Sequence, residues 1–149
     1  MFERFTDHAR DVLRLEGLEA QRMHHEHLGT EHLLVALVRE PQGHGHKALA
    51  NLGVTLKQLR KALRDVVESG PDEAIPDAFH QTPQVKHVMA MAVEEARSHK
   101  DSHLGTEHLL LALLREADGV AMRVLARLNL TGQAVRAEVQ RLLQVERGE

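Results

Sequence analysis

The sequence has no cysteine, tryptophan or tyrosine, and only three phenylalanines and four prolines among 149 residues. Without cysteine there can be no disulfide and no thiolate metal site, a composition that suits a reducing cytosol. An aromatic content of 2% beside a hydrophobic content of 42% leaves Leu, Val, Ala and Met to build the core. This favours packed helices over sheet, where aromatic and β-branched side chains are enriched. No stretch approaches the ~18 apolar residues that a membrane helix needs, and Met1-Phe2-Glu3-Arg4 opens without an apolar signal segment. A net charge of −3 and no basic face remove the electrostatic footprint of nucleic-acid binding. Neither G-x-x-x-x-G-K-[ST] nor G-x-G-x-x-G occurs, so those two modes of nucleotide binding are excluded and no cofactor is expected.

What the chain does have is a doubled string. His27-Leu28-Gly29-Thr30-Glu31-His32-Leu33-Leu34 returns as His103-Leu104-Gly105-Thr106-Glu107-His108-Leu109-Leu110, a shift of 76 positions. At the same shift, without a gap, Thr6 meets Thr82, Val12 meets Val88, Glu19-Ala20 meets Glu95-Ala96 and Arg39-Glu40 meets Arg115-Glu116. Gly43 then meets Gly119, Leu49-Ala50 meets Leu125-Ala126, Thr55 meets Thr131 and Arg60 meets Arg136. Such fixed-period identity marks a duplicated supersecondary unit. One unit alone buries too little apolar surface to be comfortably stable, so two copies should share one core about a pseudo-twofold axis.

Hydrophobic spacing supplies the elements. Thr6-Asp7 starts a helix, carrying Ala9, Val12, Leu13, Ala20 and Met23, that runs to about residue 24. After a loop, Thr30 is expected to cap a helix that is apolar on most sides and therefore central. Residues 41–45 break the chain, a short helix follows at about 47–52, and Gly53 closes it. Thr55 and Gln58 form a capping-box pattern for a fourth helix. The stretch 69–81, with two prolines, a glycine and three acids, reads as a linker. Thr82-Pro83 restarts the cycle. The expected fold is all-α: two pseudo-twofold-related four-helix repeats (2–70 and 81–146, joined by 71–80) in one eight-helix domain spanning 1–149, with no strand.

Three places invite chemistry. Twelve histidines suggest a metal, with His24, His25 and His27 clustered and His99 one turn from His103. His25-Glu26-His27 fails the H-E-x-x-H pattern, because position 29 is glycine, and no metal site is assigned. Ser102-His103 lacks an obvious orienting acid and reads as loop. The doubled Gly-Thr-Glu-His is the strongest candidate. Gly for a sharp entry, Thr for a cap and His for packing account for most of it structurally. Glu31 and Glu107 are not demanded by that account, and a carboxylate held at a helix start is well placed for bidentate binding of a guanidinium.

Phe2-Glu3-Arg4-Phe5-Thr6, the doubled Leu-Gly-Thr-Glu-His-Leu-Leu, the Arg-Glu after each copy and Thr82-Pro83 resemble the Clp repeat domain. This is the N-terminal domain of Clp/Hsp100 unfoldases, and the likeness is to the ClpC type over essentially the whole chain. The resemblance implies a non-catalytic cytoplasmic module that receives substrate proteins, arginine-phosphorylated ones included, and adaptors of the MecA kind. It would serve an AAA+ unfoldase ring in cis or in trans. The resemblance also implies phosphoarginine sites, with Glu31 and Glu107 on the guanidinium and Thr6 and Thr82 near the phosphate. A first helix about 27 Å long would keep Thr6 from Glu31, so the sites are expected to be crossed: Thr6 with Glu107 and Thr82 with Glu31. The alternative is a stand-alone Clp-repeat adaptor or regulator that docks proteins without a small-ligand site.

The chain departs from the family in three places. Where members commonly carry Gly-Glu-Gly-Val-Ala-Ala, the first copy reads Pro41-Gln42-Gly43-His44-Gly45-His46 and the second Ala117-Asp118-Gly119-Val120-Ala121-Met122. Thr-Pro-Arg is Thr82-Pro83-Gln84, and an aromatic before the motif is replaced by His27 and His103.

Overall fold

The computed structural model describes residues 4–68 and 80–146. They form α1 (Asp7–Arg22), β1 (His27–Leu28), α2 (Thr30–Arg39), α3 (His44–Asn51), α4 (Leu56–Val66), β2 (His80–Gln81), α5 (Pro83–Ser98), α6 (Thr106–Leu114), α7 (Val120–Arg127) and α8 (Gly132–Glu146). The eight helices fall into two sets of four, as the repeat demands. The caps are the expected ones: Thr6 Oγ1 accepts from Ala9 N–H and Thr82 Oγ1 from Val85 N–H, both at 3.1 Å. Thr55 and Gln58 cap α4 reciprocally. Backbone twists repeat too. His24 and Lys100 have φ of 57° and 58°, and Gly53 and Asn129 have 88° and 61°. Each pair is 76 apart and closes a helix with a left-handed residue.

The central pair, α2 and α6, is buried almost all round. Leu33, Leu34, Leu37, Leu109, Leu110 and Leu113 are essentially inaccessible, each contributing about 1.5–3 kcal/mol of burial free energy. The two repeats are tied by exchanged hydroxyls. Thr30 Oγ1 accepts from Ala121 N–H at the start of α7, and Thr106 Oγ1 accepts from Gly45 N–H in α3, both at 3.0 Å. A Cβ on Gly43 or Gly119 would come within 2.7 or 2.9 Å of these same hydroxyls, so glycine permits the approach. Within each repeat a buried glutamate ties three helices. Glu19 accepts from Arg39 and Arg60, and Glu95 meets Arg115 and Arg136. Three of the identities noted at the 76-residue shift are therefore one ion-pair cluster, present twice.

Three expectations need correction. Thr30 does not cap α2. Gly29 is the N-cap, and the threonine hydroxyl is spent on the other repeat. Helix α3 begins at His44 rather than near 47, because Gly43 serves as its N-cap and His44 and Gly45 enter the first turn. Two strands exist among the described residues, each of two residues. β1 and β2 pair in parallel, His27 with His80 and Leu28 with Gln81. The linker expected at 71–80 lies outside the described residues except for His80, which belongs to β2.

Candidate functional site

The start of α2 is built from its own motif. Gly29 N–H donates to His32 Nδ1 at 2.9 Å, so the histidine performs the capping expected of the threonine. Gly105 and His108 repeat the bond at 2.9 Å. An imidazole whose Nδ1 accepts a proton, and which is neutral, must carry its hydrogen on Nε2. His32 is neutral: burial first, then the neighbouring His25 and His27, push its pKa down to about 3. Its Nε2–H therefore donates to His25 Nδ1 at 2.8 Å, and His25 Nε2–H donates to the Glu68 carbonyl at 2.8 Å. In the second repeat Asp101 takes the place of His25, accepting from His108 Nε2–H at 2.8 Å.

His25, His27, Glu31 and His32 are the one group among the described residues whose donor atoms lie close enough together to share a metal ion, all within 4.8 Å. The proton relay runs against that use. A cation on His32 Nε2 needs the ring proton on Nδ1, where it would face the Gly29 N–H. The cluster is satisfied as a chain of hydrogen bonds that fixes the helix start.

Glu31 then folds back over that start. A Cβ on Gly29 would collide with the Glu31 carboxylate, and one on Gly105 would collide with that of Glu107. Both acids thus lie against the positive end of their own helix. Glu31 is 3% exposed, with His27 Nε2 3.7 Å away.

The repeats cross at this point. Thr82 N–H donates to the Leu28 carbonyl at 3.0 Å, extending the β1–β2 pairing, and Thr6 N–H donates to the Leu104 carbonyl at 2.9 Å. Each threonine-capped helix is thereby clipped to the motif of the other repeat. Thr82 lines a cleft of about 120 Å³ with His27, Gly29, Thr30, Glu31, Gln84, Asp118, Gly119 and Val120. Thr82 and Glu31 thus come together and Thr6 is carried toward Glu107, the crossed arrangement inferred from helix length. Helix α1, at 16 residues, is about 24 Å long. The cleft is too small for a drug-sized ligand, and its charged lining is two carboxylates, so it suits a small cationic head group.

The sequence reading missed Gln84, Asp118 and Val120 as lining residues. It also missed His44, which a shift of 76 places opposite Val120. His44 Nδ1 lies 3.3 Å from a Glu107 carboxylate oxygen, and its Nε2 lies 2.5 Å from one of Glu146. The signal was available: a histidine in the first repeat where the second has a valine.

The model of the Clp repeat (R) N-terminal domain family matches residues 4–128 and 80–148. The chain is 41% identical over 143 residues to the negative regulator of genetic competence ClpC/MecB of Bacillus subtilis, covering 96% of this chain and 17% of that protein. It therefore spans about a sixth of the length of this curated relative. The crystal structure of the N-terminal domain of the chaperone ClpD from Arabidopsis thaliana superposes with a TM-score of 0.80, at 27% identity and 97% coverage of both chains. A ClpV N-domain in complex with a VipB peptide shares the fold at 16% identity, with a TM-score of 0.67 over 91% of this chain and 89% of that one.

Proposed function

The chain belongs to the Clp repeat (R) N-terminal domain family, and from that premise we propose that it is the recognition domain of a ClpC-type unfolding machine of the cytoplasm. The Clp repeat domain is a non-catalytic module of AAA+ ATPases. In the proposed role it receives substrate proteins and adaptors of the MecA kind for an AAA+ ring. It holds arginine side chains, phosphorylated ones included, at sites built on Glu31 and Glu107.

The observation that carries this reading is the Glu31 carboxylate, 3% exposed, in a cleft that the other repeat completes with Thr82. A planar guanidinium can engage such a carboxylate in two parallel bonds, and Asp118 in the same cleft adds attraction for a cation. A phosphate on that guanidinium would find the Thr82 hydroxyl and the N-terminus of α5. Gln84 offers it an amide in place of a cation, so affinity rests on the carboxylate. A charge-assisted hydrogen bond is worth about 1.5–3 kcal/mol, so loss of Glu31 should weaken binding by about tenfold or more.

Calorimetry with free phosphoarginine tests the proposal. Wild type should bind, and Glu31→Ala/Glu107→Ala should not, with unchanged helical circular dichroism. Equal binding by the two proteins would refute the site assignment.

A further inference from the structure

The duplication makes a quantitative comparison possible, because each residue of the Glu31 cleft has a counterpart 76 positions away. Glu31 corresponds to Glu107, Thr82 to Thr6, Gln84 to His8, Asp118 to Gln42, Gly119 to Gly43 and Val120 to His44. Three of these pairs are identical, an acid becomes an amide at Asp118/Gln42, and a base able to carry charge appears twice: at His8, which faces Glu40, and at His44, in place of Val120. Of the two, His44 turns onto the one carboxylate that defines the site.

We infer that His44 is a built-in occupant of the Glu107 site, standing where an arginine guanidinium would stand, so that the domain offers one open cation site, at Glu31, and not two. The inference rests on the arginine-binding reading of these sites.

The geometry supports it in three ways. His44 Nδ1 is 3.3 Å from Glu107 and Nε2 is 2.5 Å from Glu146, so both ring nitrogens are spent on carboxylates. Two carboxylate partners on opposite edges of one imidazole require two N–H donors, hence the imidazolium, a planar delocalised cation like a guanidinium. The carboxylates arrive from different helices, Glu107 from α6 and Glu146 from the end of α8, while His44 opens α3. Glu107 and Glu146 are the charged groups that face His44 from the elements packed against it, and His46, on its own helix, is engaged by the Val38 carbonyl. The hydrogen bond that His44 donates to Glu107, opposed by burial and helped by Glu146, raises the His44 pKa to about 9. Burial works against the charge of Glu107, yet its bond to His44 holds its pKa below the usual carboxylate value. In the Glu31 cleft Val120 takes the place of His44, and the imidazole near the carboxylate is the half-exposed His27, whose Nε2 lies farther off, at 3.7 Å.

The test is stoichiometry. Phosphoarginine is titrated at pH 7.5 into wild type, His44→Val (the residue of the second repeat), Glu31→Gln and His44→Val/Glu31→Gln. The expected site counts are one, two, none and one. Two equal sites in wild type would overturn the plug and leave the arginine-binding reading intact, as would a single site in His44→Val that Glu107→Gln does not alter. Failure of every protein to bind would overturn that reading, and the inference with it. If His44→Val does not fold, His44→Gln replaces it, and imidazole nitrogen shifts in wild type give a ligand-free readout. His44 should stay protonated above pH 8 and lose that in Glu107→Gln. Titration of His44 near its ordinary value would overturn the inference.

Discussion

Gly29 and Gly105 owe their identity to the carboxylates two residues later. Their φ values of −107° and −104° are open to any residue, so the requirement is space and not backbone freedom. Gly29→Ala should displace the Glu31 carboxylate while leaving the fold standing. Ala for Gly at an N-cap costs about 1 kcal/mol at most, or about 2–4 °C in Tm for a chain of this size, whereas phosphoarginine affinity should fall as far as in Glu31→Ala. Thermal melts and calorimetry on the one variant separate the two effects. Glu16 poses a different single-residue problem. It is 2% exposed, its Oε1 has no hydrogen-bond partner, and burial pushes its carboxyl up to about 8. Its folded pKa therefore lies above its unfolded value of 4.5. Well below 4.5 both states are protonated and ionisation costs nothing. As pH rises toward 8, only the unfolded chain can ionise freely, and stability is lost. Glu16→Gln should therefore raise Tm at pH 8 and leave it nearly unchanged at pH 4. The second repeat carries Ala92 at the same place, so its scaffold does without the acid.

Among the elements, those set by local chemistry were legible in the sequence. Thr6, Thr55 and Thr82 cap where their hydroxyls and first-turn residues say they should. The doubled Thr-Glu-His was misassigned internally, because its bonding is tertiary. A threonine before an apolar run is a good cap in isolation, but here the histidine accepts the cap bond and frees Thr30 and Thr106 to reach the other repeat. No pattern within the string reveals a partner 91 residues away. β1 and β2 were invisible for the same reason: two residues of pairing leave no periodicity. The exchanged hydroxyls give a test at this scale. Thr30→Val keeps shape but orphans the buried Ala121 N–H, an expected loss of about 1–3 kcal/mol in urea unfolding. Thr30→Ser should recover most of it. The salt-bridge clusters give another. Arg60→Ala leaves Glu19, 1% exposed, with the Arg39 ion pair alone of the two, and should cost about 3–5 kcal/mol by leaving a buried charge undercompensated.

At the scale of the whole molecule, duplication creates the site and also breaks its symmetry. Each threonine-capped helix is clipped to the motif of the other half, so the Glu31 cleft needs both repeats. The core residues form one cluster spanning both halves. A fragment ending at residue 68 should therefore lack cooperative thermal unfolding as a monomer, measurable by circular dichroism. The crossed pairing could be inferred beforehand because a straight helix of known rise separates Thr6 from Glu31. Asp118 and Val120 could not be placed so, because they enter the cleft from a loop and a short helix whose direction depends on packing. His44 stood out in the sequence as a departure from the family pattern, yet its meaning came only from the carboxylates that α6 and α8 bring to it.

The most direct test of a cross-repeat cation site is the map of amide shifts as phosphoarginine is titrated into labelled wild-type protein. Gly29, Thr30 and Glu31 should move in step with Thr82, Gln84, Gly119 and Val120 from the other repeat, and Glu31→Gln should abolish the movement. Shifts confined to one repeat, or unchanged in Glu31→Gln, would contradict the account.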